Sequence, residues 1–170
     1  MKGRDGFVQA YNAQAAVDAK AQVILAHRLT NNASDQDGLG PLLDAVAANT
    51  EATPAEVSAD SGFCSEANLA DLAARGIRGY VATGRAEHPD GGEERRRGPL
   101  VSAMRRRLRR AGRRSRYRLR KQVVEPVFGQ IKQARGFRQL LLRGIEKVKH
   151  EWALICTAHN LTKLARGATA

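Results

Sequence analysis

Cysteine, aromatic residues and long apolar runs are all scarce in this chain of 170 residues, which is long enough for one domain with a real core. The two cysteines, Cys64 and Cys156, form neither a metal-binding spacing nor a disulfide framework, so a reduced, cytoplasmic setting is expected. No apolar run has the length of a membrane span, and the first residues lack the apolar core of a signal peptide. These features argue against a secreted disulfide scaffold and an integral membrane protein.

Acidic residues are scarce in the second part of the chain. Residues 1–100 carry 10 Lys and Arg against 14 Asp and Glu, whereas residues 101–170 carry 19 against 3, so the net charges are −4 and +16. Between Arg105 and Lys121, 11 of 17 residues are basic. Such a run suits a polyanion, because each cation can neutralise a phosphate and release a counterion. The run lacks the large apolar face of a membrane-surface helix, so nucleic acid is the expected partner.

The spacing of apolar residues in the first part predicts an α/β fold. The predicted elements, in order, are strands at 7–18 and 22–30, a helix at 39–48, a strand at 57–60, a helix at 66–75 and a strand at 77–83. The first two strands form a hairpin, and Ser65 and Gly76 cap the second helix. This order is typical of a mixed sheet flanked by helices.

The second part of the chain is predicted to be helical after a loop. Residues 84–99 are rich in Gly, Pro and charge and are interpreted as a loop or disordered insertion. The basic run is predicted to be helical in part, and further helices are predicted at 121–135 and 145–165. Pro126 would start or kink the first of these. In the last helix, Trp152 is predicted to pack on the sheet and Asn160 to hydrogen-bond within the helical layer.

The segment YRLRKQVVEPVFGQIK, from Tyr117 to Lys132, places one isolated carboxylate, Glu125, in a basic helix. A glutamate that faces phosphates needs a positive ion between them, so the pattern suggests a metal-dependent nucleic-acid site. Lys132 follows seven residues later, about two turns on, and shares a helix face with Glu125. The alternative is a solvated basic helix that contains one incidental acid.

Asp60 ends a predicted strand and is followed by Ser61 and Gly62. A carboxylate at the carboxyl end of a strand, beside a glycine turn, is well placed to hold a metal in an α/β fold. The commoner role for such an aspartate is to cap the turn by accepting hydrogen bonds from backbone N–H groups. Both interpretations remain open from these residues.

Four segments, GFVQAYNAQAAVD, VSADSGFCSEANL, YRLRKQVVEPVFGQIKQARGF and LLLRGIEKVKHEWALICTAHNL, together resemble the C-terminal part of bacterial insertion-sequence transposases with a DDE domain. The resemblance covers nearly the whole chain. It implies an RNase H-like fold and two Mg²⁺ (or Mn²⁺) ions held by Asp, Asp and Glu. Asp60 matches the second aspartate of the family, and Glu125 and Lys132 match its glutamate signature. Tyr117 and Arg120 keep their mutual spacing, but the step from Arg120 to Glu125 is one residue longer.

The mechanism implied by the resemblance is in-line phosphoryl transfer in DNA recombination. One metal would activate a water or a 3′ hydroxyl, and the other would stabilise the leaving oxygen. Asp60 and Glu125 would hold the metals, because Mg²⁺ prefers oxygen ligands. The expected DNA-binding residues are Tyr117, Arg120, Lys121, Lys132, Arg113 and Arg114. Lys121 takes the place of the family's arginine, or the start of the helix is adjusted.

The family's first catalytic aspartate lies upstream in a D-G-T/S type motif, which does not occur here. The expectation is therefore a truncated transposase, inactive alone, with Asp18 either standing in for that aspartate or serving as a hairpin-turn residue. The expected division is 1–83, the first part of the RNase H-like domain; 84–116, a loop insertion and basic segment; and 117–170, C-terminal helices with the Glu125 motif.

Three functions compete on this reading. The first is a DDE-type transposase fragment that acts on insertion-sequence ends and target DNA, with another copy or an intact transposase as protein partner. The second is a non-catalytic, basic DNA-binding remnant or regulator of transposition, which would bind with steep salt dependence and without Mg²⁺. The third, a ribosome-associated protein, explains the basic charge but not the acidic, well-patterned first part.

Overall fold

The computed structural model describes the backbone of residues 2–3, 6–7, 10–84, 98–110 and 119–168, and the side chains of 10–84, 98–110 and 123–167. The strands are β1 (Lys2–Gly3), β2 (Gly6–Phe7), β3 (Asn12–Val17), β4 (Ile24–Thr30), β5 (Glu56–Ala59) and β6 (Arg78–Val81). The helices are α1 (Leu39–Thr50), α2 (Glu66–Ala74), α3 (Pro99–Arg110), α4 (Leu119–Gly129) and α5 (Ile145–Ala168). The predicted order of strands and helices from β3 to β6 is confirmed.

Strands β3 and β4 form the predicted antiparallel hairpin, with Asn12 opposite Thr30 and a register shift near Val17. Asp18 shapes the connecting turn, because its Oδ2 accepts hydrogen bonds from the backbone nitrogens of Lys20 at 3.0 Å and Ala21 at 2.6 Å. Asp18 is therefore a turn residue, at the opposite end of β3 from Asn12.

Helix α5 packs on the hairpin and on α4 to form the first apolar core. Its buried members are Ile24, Leu29, Val127, Ile131, Val148, Trp152, Ile155 and Cys156. Trp152 is only 4% exposed, stacks on Phe128 with ring centroids 5.9 Å apart, and donates from its indole nitrogen to the carbonyl oxygen of Gln14 in β3 at 3.4 Å. Its predicted packing on the strands is confirmed. The contact between the two rings contributes roughly 0.5–1.5 kcal/mol beyond the stabilisation from the apolar area that they bury.

The end of α5 is joined to the hairpin by side chains that bind backbone atoms. Asn160 accepts from the nitrogen of Ile24 and donates to its carbonyl oxygen, both at 2.8 Å. His159 Nε2 lies 2.9 Å from the carbonyl oxygen of Gln22, and Lys163 Nζ donates to Gln22 Oε1 at 2.9 Å. The prediction that Asn160 bonds within the helical layer is wrong, because its amide pairs with the backbone of β4.

Strands β5 and β6 are parallel and are connected through α2. Ser65 caps α2, as predicted, by accepting from the nitrogen of Asn68 at 3.1 Å, and Gly76 follows its end at a φ of +70°. These elements bury a second core with α1 and α3, made of Leu39, Leu43, Ala59, Leu69, Leu72, Ile77, Val81 and Met104. Helix α1 also packs on the hairpin through Leu42 and Val46 against Ala26, so it joins the two halves.

The sheet differs from the prediction of one mixed sheet. In the described part of the chain, the strands form three separate two-stranded pairs: β1 with β2, β3 with β4, and β5 with β6. The α/β class is confirmed, with an antiparallel and a parallel pair. The described hydrogen-bond ladders join only β3 to β4 and β5 to β6 among these four strands. The two pairs are connected by the apolar contacts of α1.

The helix predicted at 121–135 is present with two irregularities. Pro126 lies inside α4, and the helix continues into a π-helical turn, Gln130–Ala134, before Gly136 ends it at a φ of +76°. The basic run is helical over its described parts, at the end of α3 and the start of α4. Residues 85–97, most of the predicted loop insertion, lie outside the described residues. None of the described helices combines the length and apolarity needed to cross a membrane.

Candidate metal and nucleic-acid site

Asp60 lies directly after β5, in extended backbone with a φ of −73° and a ψ of 167°. Its side chain is exposed, and Oδ1 accepts from the backbone nitrogen and, at 3.2 Å, from the hydroxyl of Ser61. Asp60 therefore caps the Ser61–Phe63 turn, which was one of its two predicted roles. This contact fixes the carboxylate at the carboxyl end of a parallel strand, where ligands of α/β proteins bind.

Asp35 lies against the Asp60 turn and connects it to the hairpin. Its Oδ1 accepts from Asn12 Nδ2 at 2.6 Å and from Gln14 Nε2 at 2.8 Å, and both donors belong to β3. Its Oδ2 contacts Gly62 so closely that a Cβ at Gly62 would overlap it. One carboxylate thus holds together the start of β3 and the turn after β5, which belong to different strand pairs.

Gln14 is the buried member of this network, with 5% of its surface exposed. Its Oε1 has no hydrogen-bond partner among the described residues, and a Cβ at Gly38 would overlap that oxygen. A buried amide with one unpartnered atom carries a desolvation cost, so the bond from its Nε2 to Asp35 is important for the local structure.

Sequence reasoning missed this role of Asp35. The segment NNASDQD has the composition of a polar loop that caps a helix, and Asp35 does precede a 3₁₀ turn. Its side chain makes no capping hydrogen bond there and is instead used in the contacts to Asn12 and Gln14. The only signal available in the sequence was an Asp in a loop rich in Asn and Ser, which is the normal composition of a turn.

Glu125 lies on the exposed side of α4. The opposite side of the helix is buried through Val123, Val127 and Ile131, at a spacing of four residues, and this packing turns Glu125 outward. Lys132 is also exposed, and its Nζ lies 5.8 Å from the centroid of the Phe128 ring, within range of a cation–π interaction. Glu125 and Lys132 are thus both accessible to a ligand.

The other predicted site residues lie in the basic run before Glu125. Tyr117, Arg113 and Arg114 lie outside the described residues, and Arg120 and Lys121 form the start of α4 without described side chains. In the described ranges, no group of three or more His, Cys, Asp or Glu side chains is arranged to hold a metal ion. Asp60 and Glu125 are each exposed carboxylates, and their joint role as metal ligands stays a prediction.

Two buried titratable groups lie on α5, in the first core. Burial raises the pKa of the Cys156 thiol to about 12, so this cysteine is a protonated core residue. Burial is also the main cause that lowers the pKa of His159, which the nearby Arg135 and Lys163 lower further. Both groups therefore remain neutral near pH 7, and both serve packing rather than ligand binding.

The chain matches the family model described as the transposase DDE domain over residues 1–161, nearly its whole length. No curated protein and no solved structure gives a significant match. The chain therefore belongs to the transposase DDE-domain family, and the resemblance predicted from the four sequence segments is confirmed.

Proposed function

We propose that this chain acts in DNA transposition as a metal-dependent nuclease and strand-transfer unit of the DDE type, with Asp60 and Glu125 as metal ligands. The family match over residues 1–161 carries this proposal. The exposed carboxylate of Asp60 at the end of β5 supports it, since that end of a strand suits a metal site. The fold proposed is RNase H-like, supported by an antiparallel hairpin followed by a parallel strand pair.

The chemistry of the two side chains fits a hard cation. Asp60 and Glu125 offer carboxylate oxygens, which Mg²⁺ or Mn²⁺ prefers, and both are exposed to solvent. When bound, such a metal supplies charge stabilisation for the phosphodiester oxygens and lowers the pKa of a bound water. Ser61 orients the Asp60 carboxylate through its hydroxyl and backbone nitrogen.

Basic residues around Glu125 are proposed to hold the DNA backbone. Lys132 is exposed on the same helical segment, and Arg120 and Lys121 begin α4. Tyr117, Arg113 and Arg114 complete the proposed set, on the strength of the family pattern and of the basic run to which they belong. Such contacts position DNA without reading its sequence. Insertion-sequence ends, target DNA and a second transposase copy are the proposed partners.

Catalysis by the family needs three carboxylates, and this chain is proposed to supply two of them and to be inactive alone. Asp18 is assigned to the hairpin turn, where its Oδ2 accepts from the backbone nitrogens of Lys20 and Ala21, at the end of β3 opposite to the Asn12 end that Asp35 joins to the Asp60 turn. The chain by itself is accordingly expected to bind metal but to give no strand transfer.

Calorimetry with Mn²⁺ tests the metal proposal directly. Wild type is expected to bind, and Asp60→Ala and Glu125→Ala are expected to lose most of that binding while circular dichroism shows a folded chain. Glu146→Gln is the matched control, since Glu146 is an exposed acid on α5 that is paired with Lys149. A folded wild type that does not bind Mn²⁺, or variants that bind it as wild type does, would contradict the proposal.

The second candidate function, a non-catalytic DNA-binding regulator, is favoured by a different observation. The described basic helix α3 carries Arg105, Arg106, Arg107, Arg109 and Arg110 and no acidic residue. Such a protein would bind DNA equally well with Mg²⁺ or with a chelator. DNA binding measured in both conditions, together with the Mn²⁺ titration, separates the two functions.

A further inference from the structure

Helix α3 has two distinct faces. Val101, Met104 and Leu108 recur every three or four residues and pack in the second core against α2 and β6. Ala103, Arg106, Arg107 and Arg110 form the other face and are exposed. Met104 is buried and Val101 and Leu108 are half-buried against this core, so the exposed side of α3 is mainly basic, with Leu100 as its one exposed large apolar residue. A membrane-surface helix would need a larger exposed apolar face.

The basic face of α3 borders an open groove against β6. The groove has a volume of about 520 Å³ and is lined by Tyr80, Ala103, Arg106, Arg107 and Arg110. The small side chain of Ala103 leaves space between the guanidinium groups and the Tyr80 ring. We call this site the Arg–Tyr groove.

The groove is held in place by contacts on both sides. Glu66, in the first turn of α2, caps the start of α3 by accepting from the nitrogens of Leu100 at 3.1 Å and Val101 at 2.8 Å. Arg107 Nη1 donates to the carbonyl oxygen of Gly79 in β6 at 3.2 Å. These bonds fix α3 beside β6, so the guanidinium groups are positioned before any ligand arrives.

The positive charge of the groove is not neutralised within the described structure. Arg106 and Arg110 have no hydrogen bond or ion pair to any described residue. Arg107 uses one N–H on Gly79, and a guanidinium has five N–H donors. Such forks match phosphate oxygens in a bidentate manner, and a tyrosine hydroxyl also donates to phosphate.

We propose that the Arg–Tyr groove binds the phosphate backbone of DNA without metal, through side chains other than Asp60 and Glu125. Arg106 and Arg110 are four residues apart, about 6 Å along the helix axis. That separation spans roughly two nucleotides of one strand. The choice of DNA as ligand rests on the proposed function, whereas the affinity for phosphates rests on the groove alone.

Fluorescence anisotropy with a labelled DNA duplex in EDTA tests the groove. The salt dependence of the affinity is measured between about 50 and 200 mM NaCl, where each phosphate contact contributes about 0.9 to the slope of log K against log salt. Arg106→Ala with Arg110→Ala is expected to reduce the slope by about 1.8. Both side chains are exposed, so circular dichroism should show an unchanged fold.

The control removes two positive charges elsewhere. Lys147→Ala with Lys149→Ala lowers the net charge equally at exposed positions of α5 and is expected to leave the slope as in wild type. Equal slopes in the groove variant and wild type, or an equal fall in the control, would overturn the proposal. Tighter binding of an RNA duplex than of the DNA duplex would overturn DNA as the ligand.

The proposed metal site and the groove are tested by separate readouts, Mn²⁺ titration for the first and the slope in EDTA for the second. If wild type binds no Mn²⁺ but the groove variant still has a smaller salt slope than wild type, only the proposed metal site is contradicted. If the groove variant has the slope of wild type, and Asp60→Ala loses the Mn²⁺ binding that wild type shows, only the groove proposal is contradicted.

Discussion

The contact of Asp35 with β3 allows a quantitative prediction. Asp35→Ala removes the acceptor for Gln14 Nε2 at 2.8 Å and for Asn12 Nδ2 at 2.6 Å. Gln14 is 5% exposed, and its Oε1 already lacks a partner among the described residues. The variant also removes the acceptor of Gln14 Nε2, so the buried amide loses its hydrogen bond to Asp35. An unsatisfied buried polar group costs about 1–3 kcal/mol, and half-buried Asn12 adds less because water can replace its bond. We expect a loss of about 2–3 kcal/mol in the free energy of unfolding.

Urea denaturation followed by circular dichroism measures this loss as a lower midpoint at an unchanged m value. Asp37→Ala is the matched control, since Asp37 is an exposed acid of the same loop whose carboxylate accepts from Asn32 Nδ2 at 3.3 Å. That variant should stay within about 0.5 kcal/mol of wild type. If Asp35→Ala costs no more than Asp37→Ala, the network does not stabilise the junction and the reasoning is refuted.

Three further predictions follow from contacts described above. Gly62→Ala should cost about 1–3 kcal/mol in the free energy of unfolding, measured as a lower urea midpoint, because its Cβ would overlap Asp35 Oδ2. A neutral effect would mean that Asp35 moves freely. Asn160→Ala should cost about 1–3 kcal/mol in the same assay, because both backbone bonds to Ile24 are lost, and Asn160→Asp should recover only the acceptor half. Burial lowers the pKa of His159 from its ordinary 6.5, so the stability that the neutral imidazole contributes is present above about pH 6.5 and is lost as pH falls through the folded-state pKa. His159→Gln should flatten this part of the plot of unfolding free energy against pH. An unchanged plot would contradict the assignment.

The order of elements could be predicted because it depends on local signals. Ser65 and Gly76 mark the ends of α2 by their own chemistry, and the apolar spacing of α5 predicts that Trp152 is buried. The family could be predicted as well, from the resemblance of four sequence segments, and the family model matches residues 1–161.

Contacts between distant residues could not be predicted in this way. Asp35 bonds to Asn12 and Gln14, which precede it by 23 and 21 residues, and nothing local specifies that pairing. Asn160 pairs with Ile24 across 136 residues. The separation of the strands into pairs also depends on which edges meet in three dimensions, whereas periodicity reports only the buried face of each strand.

The bonds from α5 to the hairpin have a consequence for synthesis of the chain. Asn160 is made 136 residues after Ile24, and at 5–20 residues per second the ribosome needs roughly 7 to 27 s to cover that distance. During that interval the hairpin has left the ribosome, while Trp152 and Ile155, which cover its apolar face, do not yet exist. A message that stops early, before α5, therefore yields a chain with an uncovered hairpin, prone to aggregation and proteolysis. The yield of folded protein therefore depends on α5 as much as on the hairpin that it covers.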